Sequence, residues 1–146
     1  MQSMVMVNLS WLSSRVPPKV HNACTCWVLN GFHTARRYQS QCPCLFCQSP
    51  GRSDSIEHFV ECPFILHCIH PSVRYSRDLK NMFFFLTTNR HCTVTFALLV
   101  FAIYNTHNYL RHNGSRVEFK KLLFRALHDC NLAQKDRHLW NRFSYP

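Results

Sequence analysis

Two short pairs of metal-binding side chains constrain this chain more than any other feature. Cys44-x2-Cys47 and His58-x3-Cys62 stand ten residues apart, within the block from Cys42 to Pro63. Two thiolates separated by two residues grip one ion from a tight turn. A His and a Cys four positions apart lie on one face of a helix. Four nitrogen and sulfur donors, in short pairs joined by a longer arm, are the usual donor set of a closed zinc site. Asp54 reads as a helix N-cap with Glu57 completing a capping box, which places Ile56 to Cys62 on a short helix. Pro50-Gly51 supplies the turn between the pairs. Pro63 disfavours helical geometry at Cys62, so the helix ends there. Cys42 is a rival for the first ligand position, because Cys42-x-Cys44 is also within reach. Cys24-x-Cys26 and the His67-Cys68-Ile69-His70 cluster lack a matching second pair and read as buried or incidental.

The same residues carry a likeness. Trp27 to Gln39, then Cys44-x2-Cys47, then Asp54-Ser-Ile-Glu-His-Phe-Val-Glu-Cys-Pro63, resembles the region that follows the polymerase domain in LINE-type (non-LTR) retrotransposon reverse transcriptases. That region is a zinc knuckle of the CCHC kind. Phe101 to His112 is similar to the helix that follows it there. The resemblance implies zinc on Cys44, Cys47, His58 and Cys62 and a role in holding the element's nucleic acid, RNA or DNA; in the alternative reading as a protein-interaction module, the partner is a reverse transcriptase polymerase portion. Gln48 departs from the pattern, since the knuckle turn often has glycine at that place. No Asp-Asp polymerase motif is present, so the likeness is to a detached, non-catalytic tail.

Composition fits a folded, basic protein. The 146 residues are 47% hydrophobic and 16% charged, with twelve Phe, five Tyr and three Trp, which is enough apolar material for a core. Seventeen Lys and Arg against seven Asp and Glu leave a formal charge of +10, a surplus suited to a polyanion. Arg36 and Arg37, just ahead of the knuckle, are the first candidates for phosphate contacts, joined by Lys120, Lys121 and Arg125 downstream. Nine cysteines with no signal-peptide pattern at the start suit a reducing, intracellular setting, nuclear or cytoplasmic. The apolar run Cys92 to Tyr104 is 13 residues long, short of the roughly 20 that a membrane span needs. GxSxG, HExxH and P-loop patterns are absent, so neither an enzyme nor a small-molecule substrate is expected.

The expected fold is mainly α: a small zinc-stapled CCHC module followed by two to four packed helices. Residues 1–33 form an undetermined N-terminal segment, with Arg15 to Lys19 as a proline linker and Val20 to Phe32 mixed, its Trp27 to Phe32 part readable as a short strand or helix end. Residues 34–71 are the zinc module, and 72–146 a helical region with a basic and aromatic tail. Within the last two segments the reading gives an apolar helix from Phe64 to His70, stopped by Pro71. A second runs from Ser76 to Leu86 with Leu79, Met82, Phe83 and Leu86 on one face. A long helix spans Thr93 to His112, buried early and emerging late. Another is restarted by Ser115 and Glu118. Beside the nucleic-acid reading stand a zinc-stabilised protein-interaction module and an inactive retroelement remnant.

Overall fold

The computed structural model describes residues 3–32, 34, 42–67, 69 and 71–113, together with Lys121 and Arg125. It is mainly helical. Seven helices are described: α1 (Met4–Leu12), α2 (Pro18–Val28), α3 (Ile56–Glu61), α4 (Pro63–Leu66), α5 (Pro71–Arg74), α6 (Leu79–Phe83) and α7 (Arg90–Asn113).

The described N-terminal segment is helical, which corrects the proline linker expected there and, of the strand and the helix end expected from Trp27, gives the helix end. Pro17 stands at the N-cap of α2 and Pro18 at its first position, where proline's fixed φ suits a helix and its missing N–H leaves nothing unpaired. The tandem prolines thus start an element instead of breaking one. α2 ends where Asn30 adopts a left-handed conformation (φ 52°). The N–H groups of Asn30 and Gly31 return to the carbonyls of Trp27 and Cys26, a Schellman closure.

α7 is the longest helix and the axis of the molecule. It runs three residues earlier than its hydrophobic period indicates, because the Asn89 side chain accepts hydrogen bonds from the N–H groups of His91 and Cys92 at 3.0 and 3.2 Å and so caps it. From Cys92 to Ile103 nearly every side chain is buried, and from Tyr109 onward the helix emerges, as the sequence indicates. No helix among the described residues is long and apolar enough to cross a membrane. α2 packs along α7, and α1 and α6 lean on the same pair.

Trp27 is the centre of the core. Its ring meets Phe32 edge-on at 5.3 Å, stacks on Phe83 at 5.9 Å and approaches Phe59 at 6.4 Å. α6 is shorter than expected. It closes on a left-handed Phe85 (φ 57°), with Leu86 N–H reaching the Asn81 carbonyl. That turn buries Phe83 and Phe85 and leaves Leu86 exposed, not on the inner face. Pro71 opens α5 where it was expected only to stop the preceding run. α4 spans only four residues.

A buried amide ties the first helix to the last. Asn8 donates through Nδ2 to the carbonyls of Phe85 and Thr87 at 2.7 and 2.9 Å, and its Oδ1 accepts from Arg90 at 2.6 Å. A polar group this deep is stable only when its hydrogen-bonding capacity is used. Gly114, the restarted helix from Ser115 and the aromatic tail lie outside the described residues, apart from Lys121 and Arg125, both helical and exposed.

Candidate metal centre

The first pair of ligands sits in a two-rung hairpin. Cys44 N–H donates to the Arg52 carbonyl at 2.9 Å, Asp54 N–H donates to the Cys42 carbonyl at 3.2 Å, and Pro43 faces Ser53 across the rungs. The far end turns over Pro50-Gly51. Gly51 has φ 77° and Arg52 N–H returns to Ser49, which is the glycine-requiring turn with proline ahead of it. Between the cysteines the chain curls back so that Gln48 N–H reaches the Cys44 carbonyl at 2.8 Å. This forces Gln48 to φ 51°. The residue that departs from the knuckle pattern therefore occupies a left-handed, glycine-favouring position.

The second pair comes from α3 and its end. Ser55, not Asp54, caps α3. Its backbone is extended and its hydroxyl accepts from His58 N–H at 3.2 Å. The Asp54 carboxylate is instead directed inward, onto His107. Cys62 terminates α3 in an extended conformation and precedes Pro63, the first residue of α4, as the proline dictates.

These elements bring Cys44, Cys47, His58 and Cys62 together, with one donor atom from each and all four within 4.8 Å of one another. Tetrahedral zinc with bonds of about 2.3 Å to sulfur places neighbouring sulfurs about 3.8 Å apart, so the cage needs only a small contraction. Cys47 Sγ already faces His58 Nε2 at 3.3 Å. Cys42 is exposed and outside this group, so Cys44 is the member of that rival pair that converges.

The electrostatics favour a cation here. Cys44 donates its thiol proton to Cys62, which lowers the Cys62 pKa and, with burial, raises that of Cys44. Backbone N–H groups of Phe46 and Cys47 point at the Cys44 sulfur, and those of Phe64 and Ile65 point at Cys62. Both sets favour thiolate, the form that binds metal. Burial and the nearby Arg52 hold His58 below the ordinary histidine range. At neutral pH its ring is therefore an uncharged ligand.

No protein-family model, curated protein or solved structure matches this chain. The site therefore rests on its own donor set and distances.

Two residues to which the sequence reading gave no such role, Asp54 and His107, hold the centre in place. Asp54 is buried, and its Oδ2 lies 2.8 Å from His107 Nε2 on α7. Its other oxygen lies 3.5 Å from Leu45 N–H inside the knuckle turn. Phe46 and Phe59 pack edge to face at 5.1 Å, and Phe59 lies 5.6 Å from the His107 ring. Asp54 was legible only as a capping type, a property it shares with Ser55. His107 follows buried Ile103 by four residues and Val100 by seven, so helical period was the one signal available.

Arg36, Arg37 and Lys120 lie outside the described residues. Lys121 and Arg125 are exposed, four positions apart on helical backbone. Cys24 is buried, and its thiol donates to the Ala97 carbonyl at 3.7 Å. Burial raises its pKa, as for an inert core thiol.

Proposed function

We propose that this protein is a non-catalytic, zinc-stabilised nucleic-acid-binding segment, related in kind to the knuckle region behind retroelement polymerases. The convergence of Cys44, Cys47, His58 and Cys62 carries the reading. Four protein donors leave no open position for water, so the metal is structural and activates nothing. The surplus of basic residues supports a polyanionic partner. Single-stranded RNA is the first ligand to test.

The test has two parts. Purified protein should carry one zinc per chain, and Cys47→Ser should abolish it. Full retention in that variant overturns the ligand set. Titration with single-stranded RNA should then show affinity falling steeply between about 50 and 200 mM salt. Binding that is weak and indifferent to salt would favour the protein-interaction reading.

A further inference from the structure

Away from the zinc ligands, α1 and the start of α7 bring two arginines onto one indole. The Arg90 guanidinium lies 4.6 Å from the Trp11 ring centroid, and that of Arg15 lies 5.6 Å from it. Arg90 is also fixed by its hydrogen bond to the buried Asn8. Both arginines are exposed and Trp11 is half-buried. Among the described residues no carboxylate pairs with either guanidinium.

The sequence explains this lack. Asp54 is its first acidic residue, and none stands between Asp78 and Glu118. α1, α2 and α7 therefore contain no carboxylate. Two like charges held beside one ring repel each other, and a contact of each with the indole is worth only about 0.5–1 kcal/mol at an exposed position. Arg90 also opens a 24-residue helix that has no acid in its first turn. A guanidinium at the positive end of a helix dipole is misplaced unless an anion joins it. The ring uses none of the guanidinium hydrogen-bond donors and Asn8 accepts from only one nitrogen of Arg90, which leaves N–H groups for a bidentate acceptor, for which phosphate is the best match.

We propose that Trp11, Arg15 and Arg90 form a second binding site, which takes the phosphodiester backbone of a single-stranded nucleic acid. This site rests on the nucleic-acid reading given above and adds a contact surface to it. Trp11 orients the two guanidinium groups, and the arginines make the phosphate contacts. Met4, Met6 and Val7 are exposed on the same helix, so an anionic membrane surface is the rival occupant.

The test uses the zinc-loaded full chain and a labelled oligouridine at two salt concentrations. Arg15→Gln and Arg90→Gln are each expected to weaken binding about fivefold and to lower the salt slope by about one. Arg77→Gln, an equal charge change at an exposed residue not in contact with Trp11, should do markedly less. Arg15→Lys keeps the charge but loses the fork, and should fall between wild type and Arg15→Gln. Zinc content and far-UV circular dichroism establish that each variant is folded. If wild type binds RNA and the Trp11-contacting variants bind no worse than Arg77→Gln, the second site is overturned and the function proposed above stands. If wild type binds no RNA at any salt concentration, both fall. If it binds phosphatidylserine vesicles but not RNA, the site belongs to a lipid and the proposal is wrong.

Discussion

Gln48 shows how a single backbone angle is set by the metal turn. The hydrogen bond from its N–H to Cys44 closes the loop that aims both thiols inward. The same closure demands φ 51°, a region in which a side chain costs about 1–2 kcal/mol and glycine costs none. Gln48→Gly compared with Gln48→Ala removes the side chain in both variants and isolates the backbone. The glycine variant is expected to be the more stable of the two by about 1 kcal/mol. Urea unfolding of the zinc-loaded proteins measures the difference, and equal midpoints would show that the turn carries no strain. The ligands themselves were legible because donor chemistry and spacing survive any uncertainty in the fold. The exposure of Cys42 was not legible, since it depends on the hairpin register across Asp54.

At the scale of elements, the short helix α3 is joined to the long helix α7 by Asp54 and His107. Both side chains are almost wholly buried, so removing one leaves the other without its partner in a low-dielectric interior. His107→Leu is expected to destabilise the protein by about 3 kcal/mol and to weaken zinc binding, because Asp54 also reaches Leu45 N–H within the knuckle. Asp54→Asn retains an acceptor and should cost less. Thermal unfolding gives the ranking, and competition with a chromophoric chelator reads the affinity. A His107→Leu variant with unchanged zinc affinity would show that α7 and the knuckle are energetically separate. Helices with a clear apolar period or a proline boundary were readable in advance, as α7 and the end of α3 show. α1 and α2 were not. Asn8 interrupts an apolar run and looks like a breaker, yet its amide is satisfied by a loop nearly eighty positions away. Pro17-Pro18 reads equally well as linker or as helix start until the following face finds Trp27's partners. Local sequence does not contain those partners.

Across the whole described molecule, the candidate metal centre and the helices share one core. Phe46 from the knuckle turn, Phe59 from α3 and Trp27 from α2 make a continuous run of ring contacts that ends on Phe83 and Phe96. Zinc binding to peptides of this donor type is worth about 10–16 kcal/mol. That is as large as the whole stability of an ordinary domain, about 5–15 kcal/mol. Removing the metal leaves Cys44 and Cys62 buried without the ion that joins the two ligand pairs, and loosens the hairpin that carries Phe46. Chelation is therefore expected to disturb Trp27 as well as the knuckle. On titration with EDTA, the loss of helical circular dichroism and the red shift of tryptophan emission should follow one curve, and zinc should restore both. A knuckle that lost its metal while both signals held would mean that the aromatic core folds without it. In that case the zinc site would serve only the surface it shapes.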